Sequence, residues 1–166
     1  MSSRLRKRLT GLALTASVAL LVALLPGTSA ASQPVVSSIT DKQPVAIGAD
    51  SWKLLRATNE SRGRFELPKL RLDRELSVIA RRHSMAMARS GELFHTADVG
   101  IYLHAIGWHT WGENVGYTPW GVASIQRAFM NSPHHRVNIL NRAFDKVVIG
   151  SMRMDGTLWV TVFFYS

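Results

Sequence analysis

The stretch WGENVGYTPWGVASIQRAFMNSPHHRVNIL, from Trp111 to Leu140, holds one carboxylate, Glu113, and two adjacent imidazoles, His134 and His135. Glutamate and histidine are common general acids and bases, and both ligate divalent metals. Their separation along the chain does not by itself place them in one site. The chain contains no cysteine, which removes thiol nucleophiles and zinc–thiolate centres. Any metal must therefore be held by His, Glu, Asp or hydroxyl groups. No serine lies in a recognisable nucleophile motif.

Each candidate has a chemical and a structural reading. His95 follows a segment stopped by Gly91 and falls in a loop, where binding and catalytic groups concentrate. Glu113 sits among aromatic and apolar residues, so its carboxylate needs partners or a raised pKa. It is a chemical group, a pin that bonds backbone amides, or both at once. His134 and His135 cannot point the same way within one helical turn. His83 recurs on an apolar helical stripe and reads as a hydrogen-bonded, partly buried histidine. His109 and Glu113, four apart, would pair on a metal only in a helix, which Gly112 argues against. The Asn138 amide is expected to satisfy backbone groups nearby. Trp108, Trp111 and Trp120 surround the GEN tripeptide, with core packing as their default reading and an aromatic ligand wall as the other.

Several elements must position these residues. A first helix is expected from about Asp50 to Gly63, with Trp52, Leu55 and Asn59 on one side. A second should start at Asp73 as cap, with Glu75 favoured by the helix dipole in its first turn. It carries Leu76, Ile79, Ala80, His83 and Met87 at helical spacing and stops at Gly91. Thr118-Pro119 reads as a cap and first residue of a helix buried through Val122, Ile125, Ala128 and Phe129. Ser132-Pro133 repeats that signal, putting His135 in the first turn of a short new helix. VVIGSMRM and TLWVTVFFYS flank Asp155-Gly156, a strong hairpin signal. Both runs are apolar at alternating and intervening positions, as in a sheet covered on both faces. The fold class that follows is α+β: a three-layer α-β-α sandwich with a central antiparallel sheet.

The 166 residues suit one domain after a leader is set aside. Residues 1–30 combine Arg4, Arg6, Lys7 and Arg8, an apolar run from Leu12 to Leu25, and small residues at Thr28 and Ala30. That is the pattern of a secretory signal peptide cleaved after Ala30, and the run is short of the roughly twenty residues a spanning helix needs. Residues 31–48 read as a flexible lead-in, and 49–166 as the domain. Losing the four basic residues of the leader takes the formal charge from +9 to +5. The remaining arginines are scattered, so no nucleic-acid stripe is present. No other segment is apolar enough for a stable membrane span.

LFHTA (93–97), WGENVG (111–116), AFMNSPHHRVNIL (128–140), VVIGSM (147–152) and WVTVFF (159–164) occur in this order. Together they resemble the CAP superfamily (cysteine-rich secretory, antigen 5 and pathogenesis-related proteins), in its small bacterial SCP-like branch. The resemblance implies that His95, Glu113 and His135 face one cleft. It also aligns Ser132 with the position where many eukaryotic members carry a second glutamate. Two imidazoles, His95 and His135, with Glu113 as a candidate catalytic group, would suit zinc or another divalent cation. Metal-bound water would then support a metal-dependent hydrolase. The expectation ranked ahead of that enzyme is an extracellular binding or interaction module for a lipid, sterol or cell-wall ligand.

Overall fold

A computed structural model describes residues 46–97, 99–104 and 107–166. The leader and the first fifteen residues of the lead-in lie outside the described residues. Nine elements follow in order: α1 (Ala49–Gly63), β1 (Arg71–Leu72), α2 (Ser77–Ser90), α3 (Val99–His104), β2 (Trp111–Thr118), α4 (Val122–Asn131), α5 (Pro133–Ile139), β3 (Lys146–Met154) and β4 (Thr157–Tyr165). The sheet order is β1-β3-β4-β2. Its long strands are antiparallel, and the two-residue β1 pairs with β3 in parallel.

The expected sandwich is present, and the alternation of β3 and β4 explains it. Val147, Ile149, Val160, Val162 and Phe164 join Leu54, Ile125, Phe129 and Ile139 in one core, beneath α1, α4 and α5. The intervening Val148, Phe163 and Tyr165 pack with Ala80 of α2 on the other face. Asp155 and Gly156 adopt φ of 49° and 76°, as a two-residue hairpin turn requires.

Four element-level expectations need correction. Trp52 is 42% exposed, because the inward stripe of α1 runs Ser51, Leu54, Leu55, Thr58, Ser61 and Arg62. Ser51 takes the inward place by bonding Ser151 of β3 at 2.8 Å. Thr118-Pro119 does not open a helix. Thr118 ends β2, its hydroxyl accepts the Trp120 N–H at 3.2 Å, and α4 starts after Gly121 at φ 87°. Ala128 is exposed and Gln126 is buried in its stead. The facing surface of α1 is polar there, and Gln126 bonds Thr58 and Ser61. Asp73 caps the turn that leads into α2 rather than the helix itself, accepting the Leu76 N–H at 3.0 Å.

Arg62 holds the layer that carries the site. It is fully buried and donates to the carbonyls of Pro68, Ile139, Asn141 and Phe144 at 2.8–3.2 Å. Burial, and then Arg142, lowers its pKa. The guanidinium thus ties the end of α1 to the C-terminal end of α5.

Candidate functional site

Glu113 lies on β2, an edge strand of the sheet, and its side chain is only 3% exposed. Its carboxylate is surrounded by donors from the loop after α2. Gly91, left-handed at φ 71°, ends α2 and turns the chain back. Thr96 N–H then lies 3.2 Å from each Glu113 oxygen, and Thr96 Oγ1 donates to Oε1 at 2.8 Å. His95 Nδ1 is 2.6 Å from Oε2. An ionised carboxylate only accepts, so Nδ1 of His95 donates and the ring turns Nε2 away from Glu113. His95 itself is 66% exposed.

Beneath this pair lies His83 of α2, 4.0 Å from Glu113 Oε1. Its Nδ1 bonds Thr161 Oγ1 at 2.9 Å, and Ser84 Oγ donates to the same hydroxyl at 3.0 Å. Its Nε2 is buried without a partner among the described residues. Burial lowers the His83 pKa most; the Glu113 charge opposes that shift, and His95 adds to it. His83 is thus the hydrogen-bonded histidine expected from its stripe. Its place under Glu113 was not legible from helical spacing. Ser84 and Thr161, polar residues within apolar runs, were the available signal.

His135 stands on the other side of the β2 edge. Its Nδ1 lies 2.9 Å from Ser132 Oγ, and its ring tilts over Phe129 at 4.9 Å. Ser132 thus engages His135 and makes no side-chain cap bond to α5. Burial lowers the His135 pKa, and the charges of His95 and His134 add to that. Two asparagines stitch α5 to β2. Asn114 Nδ2 donates to the His135 carbonyl at 3.0 Å. Asn138 Nδ2 donates to the Glu113 carbonyl at 3.2 Å and to Asn114 Oδ1 at 2.8 Å.

So the structure joins His95 and Glu113 directly. It sets His135 across the strand edge, close enough to feel the charge of His95. His134 is exposed. His109 is in a bend and Glu113 in a strand, so that helical pair does not form. Core packing fails as a description of Trp111 and Trp120, which are 40% and 81% exposed. Trp108 is half-buried and meets Trp111 edge to face.

The expected cation site can be tested against this donor set. Glu113 already accepts four contacts, and the Nδ1 bonds of His95 and His135 leave Nε2 as the nitrogen a cation would meet. Among the described residues no group of three His, Asp or Glu side chains is arranged to hold a metal ion. Glu113, His95 and His135 are thus not arranged as a three-ligand zinc centre. The arrangement fits a buried carboxylate that fixes a loop and orients one imidazole.

Next to His135 a groove of about 290 Å³ opens along the β2 edge. Val115, Gly116 and Tyr117 of the strand line it. Leu93 stands on one side, and Ile125, Ala128 and Phe129 of α4 on the other, with Ser132 and His135 at one end. Gly116 lets α4 approach: a Cβ there would lie 2.8 Å from Ile125 and 3.0 Å from Phe129.

Comparison with known proteins gives a consistent result. The model of the cysteine-rich secretory protein family, CAP, matches residues 55–164. The uncharacterized protein YkwD of Bacillus subtilis (strain 168) is 28% identical over 133 residues, covering 76% of this chain and 51% of that protein. An extracellular SCP-domain protein of Bacillus anthracis is 25% identical with a TM-score of 0.61, covering 70% of this chain and 40% of that one. An outer surface protein of Borrelia burgdorferi shares the fold at 20% identity and a TM-score of 0.62, covering 70% of this chain and 92% of its own. The chain therefore spans about half the length of its curated relative. Among the described residues no helix is long and apolar enough to cross a membrane.

Proposed function

The chain belongs to the cysteine-rich secretory protein (CAP) family, and on that premise we propose that it is an exported binding module. Its ligand is an apolar extracellular or cell-surface molecule, seated in the groove along β2 with a polar group at the His135 end. Lipids, sterols and cell-wall components all fall within that description. The observation that carries the reading is the groove itself: apolar walls, two half-exposed residues at its mouth, Leu93 and Tyr117, and one polar end. Such concave sites with few polar groups are the usual form of a ligand pocket. Export is supported by the tripartite leader and by the extracellular description of the Bacillus anthracis relative.

A hydrolase reading is weaker on the same geometry. The His95–Glu113 pair orients the His95 ring, yet among the described residues no nucleophile stands beside it in a recognisable arrangement. The test is a fluorescence titration of the exported chain with an anilinonaphthalene sulfonate probe, an apolar body with one anionic group. Wild type should bind it. Ala128→Arg and Leu93→Asp, both exposed positions on the groove wall, should lose at least tenfold in affinity with melting unchanged. Equal binding by all three proteins would remove the groove from the account.

A further inference from the structure

We propose that the natural occupant of this groove is an extended polypeptide, added as a further strand on the free edge of β2. The inference rests on the groove reading above and names what fills it. It comes from the phase of the ladder. Met154 and Thr157 face each other across the two-residue turn, and residues flanking such a turn exchange main-chain bonds. From there the odd-numbered residues of β4 bond β3, and the even-numbered ones bond β2. Their partners on β2 are Gly112, Asn114, Gly116 and Thr118, opposite Phe164, Val162, Val160 and Leu158. Trp111, Glu113, Val115 and Tyr117 must therefore direct their N–H and C=O groups away from the sheet. The Asn138 bond to the Glu113 carbonyl agrees, since an outward carbonyl is the one free to accept it.

Asn138 covers the edge at Glu113. Beyond it, Val115 and Tyr117 have no hydrogen-bond partner for their outward main-chain groups among the described residues. These two donors and two acceptors, at a spacing of two residues, line the groove. A row of alternating donors and acceptors is matched by another extended main chain and not by a lipid tail. The flanking walls exclude a second copy of β2. Leu93 on one side and Ile125, Ala128 and Phe129 on the other border the edge, and a second β2 carries the same walls. A single strand has no such bulk.

The walls also describe the strand. Its side chains would alternate between Leu93 and Tyr117 on one side and Ile125 and Phe129 on the other, so both of its faces should be apolar. From Val122 to Ile139 the chain carries Arg127 and Arg136, both exposed, and no Asp or Glu. That charge favours acidic residues flanking the apolar segment. Unpaired strand edges are otherwise an aggregation hazard, which a bound strand would remove.

The experiment selects heptapeptides from a display library on the full exported chain, with counter-selection on Ala128→Arg. A selected peptide is resynthesised with a single N-methyl group placed at each position in turn. The expected result has period two. Methylation at amides facing Val115 or Tyr117 weakens binding at least tenfold, and methylation at the alternate amides leaves it unchanged. Uniform tolerance of N-methylation would overturn strand addition, while continued sensitivity to Ala128→Arg would leave the groove reading standing. A library that yields no peptide sensitive to Ala128→Arg would also overturn strand addition. If neither peptides nor the anilinonaphthalene probe respond to Ala128→Arg or Leu93→Asp, the groove reading falls with it.

Discussion

Glu113 shows how a side chain of chemical type can serve structure. All four hydrogen bonds to its carboxylate come from two consecutive residues, His95 and Thr96, and the side chain is enclosed. Glu113→Gln replaces one accepting oxygen with a donor that faces other donors. It should destabilise the domain by about 1–3 kcal/mol and accelerate amide exchange at Thr96. His95→Ala, at an exposed position, should cost less than about 1 kcal/mol. Equal costs would contradict the pin. The histidines set a pH dependence. His83 and His135 both have folded pKa values below the unfolded value of 6.5. The unfolded chain therefore binds more protons below that value, and stability rises with pH. Their contribution is complete above about pH 6.5 and is lost as pH falls through the folded pKa values. Urea melts from pH 7 to 5 should show this decline, and His83→Leu should flatten it. An unchanged slope in that variant would remove His83 from the cause. The motif order was enough to single out His95, Glu113 and His135. The role of His83 was hidden because its partner Thr161 lies 78 positions away on β4.

At the level of elements, local signals were read correctly where they decide the structure by themselves. Gly91, Ser132-Pro133 and Asp155-Gly156 each stop or turn the chain as expected. Thr118-Pro119 misled because the same dipeptide can close a strand, and pairing of Thr118 with Leu158 decided between them. Trp52 misled because hydrophobicity alone does not set the phase of a helix whose neighbouring strand presents Ser151. Gly150 was invisible within an apolar strand sequence. In the fold, a Cβ there would collide with the main chain of Ala80 and Arg81 in α2. Gly150→Ala should therefore cost about 3 kcal/mol or more, measurable by chemical denaturation. A loss below about 0.5 kcal/mol would mean that α2 does not lie as close to β3 as described.

For the whole molecule, fold and function differ in how far they can be read. Two apolar faces on β3 and β4 required helices on both sides of the sheet, and five ordered motifs identified the family. The groove did not announce itself, because its walls come from the loop after α2, from β2, and from α4 with α5. Only the packed chain brings Leu93 beside Val115 and Phe129. Cleavage after Ala30 would leave a net charge of +5, which favours acidic partners at longer range. The most direct measurement is residue-resolved amide hydrogen exchange along β2, in the free protein and with a groove-bound peptide. Asn114 and Gly116 should exchange slowly in both states. Tyr117, half-exposed, should exchange fast in the free protein, Val115, buried but unbonded, should exchange faster than Gly116, and both should become protected when the peptide binds. Val115 and Tyr117 amides as protected as Gly116 in the free protein, or unprotected in the complex, would contradict strand addition.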